Sequence, residues 1–126
     1  MTLRFLPLMI LIGLANPAGA QTRAVSGQSG ILGEWAYSAT VTEQDGIKGQ
    51  WNGPVTVTHV GFCSSDGPEE KIGELRLRVP GPKQAFATLL VEGTTCTFKG
   101  HLNGTYDGVL TCPGRRDVPM MLSIDQ

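Results

Sequence analysis

The side chains best suited to chemistry in this sequence are two histidines and three cysteines, and their spacing limits what they could do. His59 lies four positions before Cys63, which places a base near a thiol, as nucleophilic catalysis requires. No orienting third group accompanies them, and the Ser-Ser-Asp-Gly run at 64–67 is typical of a turn. The pattern therefore favours a spare or disulfide-bonded cysteine over a catalytic one, and we predict that the protein is not an enzyme.

A metal site is the second kind of chemistry to consider, because imidazole nitrogens and thiolates are common metal ligands. The candidate ligands are His59, Cys63, Cys96 and His101. They form no Cys-x-x-Cys or His-x-x-x-His pair, and a regular strand through Cys96 would place His101 on its opposite face. The sequence therefore predicts neither a metal site nor a cofactor.

The first twenty residues have the pattern of a secretory signal. One cation, Arg4, precedes an apolar run from Phe5 to Leu14, and Ala18-Gly19-Ala20 is the small-x-small pattern that signal peptidase accepts. The run is shorter than the roughly 20 apolar residues that a transmembrane helix needs. We therefore predict a signal peptide at 1–20, cleavage near Ala20, no membrane span in the mature form, and a secreted or periplasmic location.

Composition narrows the size and partners of the mature chain. Cleavage after Ala20 would leave 106 residues, enough for one domain, with nine Lys and Arg against eleven Asp and Glu. No basic cluster exceeds Arg115-Arg116, so we expect neither nucleic acid nor an anionic membrane surface as a partner. Residues 21–30 are polar and rich in Gly and Ser, which predicts a flexible lead-in to a single all-β domain at 31–126.

Short alternating runs between Gly, Pro and Asp-Gly pairs indicate strands, and no window has helical spacing. Eight strands are predicted. In chain order they are Glu34–Thr42, Ile47–Asn52, Val55–Cys63, a strand around Leu75–Val79, Ala85–Glu92, two strands that flank Gly104, and Val118–Ile124. Eight short strands without crossover helices favour an antiparallel up-and-down eight-stranded barrel, with a two-sheet β-sandwich as the alternative.

The sixth and seventh predicted strands carry the sharpest local prediction. A hairpin centred on Gly104 pairs Cys96 with Cys112 and matches every facing pair between them in character. A two-residue turn at Asn103-Gly104 would instead place Cys96 opposite Thr111. We expect the first register, because a slip of one residue exposes half of the hydrophobic side chains, and it predicts a Cys96–Cys112 disulfide.

The triplet Gly33-Glu34-Trp35, at the start of the first predicted strand, resembles the Gly-x-Trp signature that opens barrels of the calycin group. That group includes the lipocalins, the avidins and the small bacterial metalloprotease inhibitors, and its strand count and exported length are similar too. The resemblance implies a barrel that binds or inhibits. It also implies a basic side chain over Trp35, which the last strand supplies in that group. The eighth predicted strand has none, so Arg115 or Arg116 would take that place.

These observations favour an exported, non-enzymatic binding module, whose partner is a small ligand or an envelope or secreted protein. Trp35, Tyr37 and Trp51 are the candidate side chains for a ligand wall or for the core, since aromatic groups suit both. One alternative is an inhibitor of an envelope or secreted hydrolase that inserts Gln21–Gly30 into its partner's cleft.

Two alternatives belong to other classes of protein. A small hydrolase would need His59 or His101 beside an acid in a polar pocket. A surface-interaction protein would present exposed apolar side chains on the fifth strand, Ala85–Glu92, which is apolar on both faces.

Overall fold

The computed structural model describes residues 21–60 and 69–125, and these residues form strands and turns with no helix, hence none that could cross a membrane. Eight strands follow one another in the chain, each antiparallel to the next, and the last pairs with the first to close a barrel. The strands are β1 Thr22–Ser29, β2 Trp35–Glu43, β3 Gln50–His59, β4 Glu69–Gly81, β5 Gln84–Val91, β6 Thr94–Asn103, β7 Thr105–Thr111 and β8 Val118–Ile124. The predicted up-and-down barrel is confirmed, and the sandwich alternative is wrong.

The core lies inside the barrel and follows from side-chain alternation along each strand. In β4, Leu75 and Leu77 are buried while Arg76 and Arg78 are exposed, as the alternation predicts. Every other strand also contributes at least one buried apolar side chain. The largest fully buried side chains are Val41, Val55, Leu75, Leu77, Met120 and Leu122.

The prediction of a flexible lead-in at 21–30 is wrong, because β1 occupies most of that segment and pairs with both β2 and β8. Its small residues allow close strand contact. A Cβ atom at Gly27 would lie 2.5 Å from the Met121 carbonyl oxygen and 2.6 Å from Leu122 Cδ2. Composition therefore gives the wrong prediction for this segment, because β1 closes the barrel. The inner face of β1 carries the buried residues Val25 and Ser29.

The predicted second and third strands are one strand, β3, so the expected break at Asn52-Gly53-Pro54 is also wrong. Gly53 lies where the neighbouring strand comes close, and a Cβ atom there would collide with the carbonyl oxygen of Thr40. The ladder with β4 continues in register through Gly53 and Pro54. The last residues of the predicted third strand, 61–63, lie outside the described part of the chain.

The β6–β7 hairpin has the predicted register. Phe98 pairs with Leu110, Gly100 with Gly108 and Leu102 with Tyr106, and Gly104 turns the chain with a φ of +74°. One step beyond the paired Thr97 and Thr111, a disulfide joins Cys96 to Cys112 with their Cα atoms 4.4 Å apart. Side-chain pairing therefore outweighed the preference of Asn-Gly for a two-residue turn, and the predicted disulfide is confirmed.

Candidate ligand-binding cavity

Each end of the barrel contains a cavity, and the cavity at the end where β2 begins has a volume of about 550 Å³. We call it the Trp35 cavity. It opens beside the β1–β2 turn, near Gly30 and Ile31, and reaches Glu92 after β5 and Arg115 and Arg116 after β7. Three chain connections therefore surround its mouth.

The wall of the Trp35 cavity is mainly apolar, and all eight strands contribute residues to it. Val57, Leu89 and Leu110 are buried side chains that line it. Further partly buried contributions are Val91, Val118 and the Cys96–Cys112 disulfide. Since the disulfide joins two wall residues, it also fixes the spacing of β6 and β7 at this end of the barrel.

Two buried hydroxyl groups provide polar atoms on the inner side of the cavity. Ser29 Oγ and Tyr37 Oη are joined by a hydrogen bond of 2.6 Å, and both residues line the cavity. Burial raises the pKa of the Tyr37 phenol above its usual value, and the hydrogen bond with Ser29 opposes that shift. The phenol is therefore neutral at ordinary pH. One hydroxyl donates to the other, and the accepting hydroxyl keeps its own proton.

The rim carries two aromatic rings and a cation. The rings of Trp35 and His59 lie 4.4 Å apart between centroids and are tilted by 39°. Lys71 Nζ lies 5.8 Å from the Trp35 ring centroid, within the range of a cation–π contact. The same ammonium group is 3.3 Å from Glu92 Oε2 and 3.7 Å from Glu69 Oε1. Lys71 is therefore held at the mouth by an indole face and two carboxylates.

Glu34 supplies an unusual polar atom at this rim. Its Oε2 is buried and has no hydrogen-bond partner among the described residues. It packs against Gly30, which has a φ of +97° and no room for a Cβ atom beside that carboxylate. A buried acceptor without a partner costs about 1–3 kcal/mol, and more when it is charged. Glu34 is also one of the residues that line the Trp35 cavity.

The opposite end of the barrel is arranged differently. Trp51 is 3% exposed, and the guanidinium carbon of Arg23 lies 4.5 Å from its ring centroid. A second cavity, of about 610 Å³, opens there beside Glu43 and Lys48. Both indole rings have a cation of the chain over them, but Trp51 is buried whereas Trp35 is only partly buried.

The three aromatic residues predicted as ligand wall or core therefore separate into two groups. Trp35 and Tyr37 line the Trp35 cavity together, and Tyr37 is also part of the buried core. Trp51 belongs to the core at the opposite end. The sequence identified the right residue types but not which end each one occupies.

The histidines considered for catalysis and metal binding are separated by the fold. His59 lines the Trp35 cavity, whereas His101 is exposed on β6, where its backbone pairs with Asp107. Within residues 21–60 and 69–125, no three His, Cys, Asp or Glu side chains come together as metal ligands. Cys63 lies outside those ranges.

The basic group over Trp35 is not one of the two predicted from the calycin resemblance. Lys71, from β4, has its ammonium group over the ring. Arg115 and Arg116 do line the same cavity, but both are exposed in the connection between β7 and β8. The sequence does indicate this position of Lys71. An even number of residues separates it from Leu75 and Leu77, which are buried, so all three side chains lie on the same face of β4.

Ser29 and Glu34 were also missed as site residues. Ser29 lies within residues 21–30, whose composition predicts a flexible chain and therefore no inward-facing side chain. Glu34 is the variable residue of the Gly-x-Trp triplet, and its role depends on the left-handed backbone of Gly30, which only the folded turn reveals.

Comparisons with known proteins assign no family to this chain. No family model matches this chain, and no curated protein matches it in sequence. Among solved structures, it is similar to a de novo designed fluorescence-activating β-barrel, with a TM-score of 0.44 and 14% identity. The alignment covers 84% of this chain and 93% of the designed one. Membership of the calycin group therefore stays a prediction.

Proposed function

We propose that this protein is a non-enzymatic binding module that holds a small, mainly apolar ligand in the Trp35 cavity. The observation that carries the proposal is the lining of this cavity, which is mainly apolar with few polar atoms at defined positions. At the opposite cavity Arg23 lies over Trp51, which is buried, so that indole ring offers little surface to a ligand.

The dimensions and chemistry of the cavity support this proposal. A volume of about 550 Å³ falls within the range of roughly 300–1,000 Å³ that is typical of small-molecule sites. The apolar wall would stabilise a ligand by removing its surface from water. The Ser29–Tyr37 pair would orient one polar group of the ligand, because both residues line the cavity and the accepting hydroxyl keeps a proton that it can donate.

The proposal is tested by filling each end of the barrel separately. Val118→Phe adds a ring beside the Trp35 cavity, and Val79→Phe adds the same ring at the opposite end, where Val79 lines the second cavity. Both valines are partly buried, which makes the two variants a matched pair. The probe is N-phenyl-1-naphthylamine, a neutral dye whose fluorescence rises when it leaves water.

We expect the parent protein to bind the dye, and Val118→Phe to weaken binding by about tenfold or more because the added ring occupies the site. Val79→Phe should leave the dissociation constant within about twofold, since it lies far from the ligand. Circular dichroism and Tm establish that both variants fold. Loss of binding in Val79→Phe alone, or no fluorescence change with the parent protein, would contradict the proposal.

We also propose that the mature domain works outside the reducing cytoplasm, in the periplasm or the secreted fraction. The Cys96–Cys112 disulfide supports this, since structural disulfides persist in oxidising compartments. The signal-like pattern at 1–20 supports it independently, although those residues lie outside the described part of the chain. Mass spectrometry of the non-reduced protein from cell fractions should find an N-terminus at Gln21, and an intact Met1 in a cytoplasmic fraction would contradict it.

Two of the functions predicted as alternatives, inhibition and hydrolysis, have less support. Inhibition by insertion of Gln21–Gly30 would require that segment to leave the barrel, in which it forms β1. A hydrolase would use His59, the histidine at the cavity, and His59→Ala should abolish any hydrolysis detected with the purified protein. We propose binding rather than hydrolysis, because the wall of the cavity is mainly apolar.

A further inference from the structure

We infer that the ligand of the Trp35 cavity carries a positively charged nitrogen, which binds to the carboxylate of Glu34. This inference rests on the proposed function and specifies the chemical class of the ligand as an organic amine with an apolar body. Two features of the cavity mouth lead to it: an acceptor without a partner among the described residues, and an aromatic face beside which carboxylates already hold an ammonium group.

The first feature is the buried Oε2 of Glu34. The described residues provide it with no hydrogen-bond donor, and Glu34 is one of the residues that line the cavity. An ammonium or other N–H group is the natural partner, because a charged donor makes the strongest hydrogen bonds to a carboxylate. A ligand that ends in a carboxylate or phosphate would instead add repulsion at the same atom.

The second feature is that this mouth already accommodates an ammonium group from the chain itself. Lys71 Nζ lies over the Trp35 ring and within 4 Å of carboxylate oxygens of Glu69 and Glu92. Indole faces and carboxylates together are suited to holding an organic cation. The second aromatic ring, His59, lies against Trp35 and widens the apolar surface beside the cation.

Three cations of the mouth, Lys71, Arg115 and Arg116, act against an amine. The charge of Lys71 is offset by Glu69 and Glu92, and both arginines are exposed, so water and salt screen their charges. The Glu34 oxygen is buried and is screened less, which gives it the larger influence on a ligand inside the cavity. The balance at the buried atom therefore favours a cation, and an anionic probe tests the opposite outcome.

The apolar wall defines the rest of the ligand. Leu89, Leu110 and Val57 offer no polar partner, so the body beyond the amine must be hydrocarbon or aromatic. Arylalkylamines fit this description. A second polar group of the ligand would form hydrogen bonds with the hydroxyl groups of Ser29 and Tyr37.

The experiment compares three probes of one shape with different end groups: 3-phenylpropylamine, its neutral analogue butylbenzene, and 4-phenylbutanoate. Each is measured by displacement of N-phenyl-1-naphthylamine from the parent protein and from two variants. Glu34→Gln removes the charge at the cavity. Glu43→Gln is the matched control, because Glu43 lies at the other end of β2, beside the opposite cavity.

We expect the amine to bind the parent protein about tenfold more tightly than butylbenzene, a difference of about 1.4 kcal/mol. Glu34→Gln should remove that advantage and leave butylbenzene within about twofold, whereas Glu43→Gln should change neither. The amine should also raise the Tm of the parent protein more than that of Glu34→Gln. This second readout separates loss of the charge from loss of the fold.

Three results would overturn the inference while leaving the proposed function intact. They are equal binding of amine and butylbenzene, an equal loss of both in Glu34→Gln, and tightest binding of 4-phenylbutanoate. The last would assign the ligand to Arg115 and Arg116 instead. If neither the dye nor any probe binds, the proposed function fails and the inference fails with it.

Discussion

The ring of Phe98 occupies the space that a side chain at Gly100 would need. A Cβ atom at Gly100 would lie 2.8 Å from Phe98 Cε1, closer than such atoms approach in folded proteins. Gly108, on the facing strand, is equally restricted, because a Cβ atom there would collide with the backbone of Lys99. Gly100 therefore leaves room for the Phe98 ring, which is 2% exposed, and Gly108 allows the backbones of β6 and β7 to lie close together.

Gly100→Ala should therefore destabilise the protein although it adds only one methyl group. We expect a loss of about 1–3 kcal/mol in the free energy of unfolding, since Phe98 or the β7 backbone must move to relieve the overlap. The control is Gly81→Ala, because a Cβ atom at Gly81 meets nothing within 4 Å. Urea denaturation followed by circular dichroism measures both. Equal stability of the two variants would contradict the packing described here.

How far the sequence predicts this molecule depends on the kind of information in each segment. The β6–β7 register followed from pairing alone, because Cys96, Phe98 and Gly100 each face a residue of matching character. The predictions for residues 21–30 and for Gly53-Pro54 were wrong. Glycine in a sequence is taken to indicate a flexible chain or a turn, whereas in this barrel it allows two strands to lie close together. Local pattern does not distinguish these two uses, because the difference lies in a neighbouring strand far away in sequence.

The cavity was less predictable than the barrel. Alternation tells which side chains point inward, but not at which height along the axis each one lies. That height depends on the stagger of all eight strands, which is why Trp35 and Trp51 could not be assigned to opposite ends from the sequence.

The Cys96–Cys112 disulfide should contribute substantially to stability. It closes a chain segment with a sequence separation of 16 residues, for which loop entropy gives about 3 kcal/mol. We expect Cys96→Ser/Cys112→Ser to lose stability of that order in urea denaturation. The dye that tests the Trp35 cavity should also bind more weakly, because both cysteines line its wall.

Two controls separate the disulfide from general effects of substitution. Cys63→Ser leaves the Cys96–Cys112 bond in place and should keep the parent's stability under oxidising conditions. Under reducing conditions the parent protein should approach the stability of the double variant. A double variant as stable as the oxidised parent would contradict a stabilising disulfide.

Buried Tyr37 should make stability depend on alkaline pH. Burial raises the pKa of its phenol in the folded state above the ordinary value of 10.0. Between these two values the unfolded chain loses the proton while the folded protein keeps it. Stability is therefore unaffected by this group below pH 10 and falls above it, by up to about 1.4 kcal/mol per pH unit.

The measurement is urea denaturation at several pH values from neutral to alkaline, with absorbance of the ionised phenol recorded in parallel. Tyr37→Phe should remove the Tyr37 share of the alkaline loss of stability, while Tyr106→Phe retains it. If Tyr37→Phe has the same pH dependence of stability as the parent protein, the pKa of the Tyr37 phenol is not raised by folding. That result would contradict the buried, hydrogen-bonded position of this phenol.

Because β1 closes the barrel, we expect residues 21–30 to be essential for folding, whereas a flexible lead-in could be removed without effect. Truncation of residues 21–30 should remove the strand that joins β2 to β8, expose the edges of both, and prevent cooperative folding. Gly27→Ala should destabilise by about 1–3 kcal/mol, because the new methyl group would press on the Met121 carbonyl oxygen. Ser26→Ala, one residue earlier on the exposed face, should stay within about 0.5 kcal/mol of the parent. Urea denaturation measures each variant, and a truncated chain that unfolds at the parent's midpoint would show that β1 does not close the barrel.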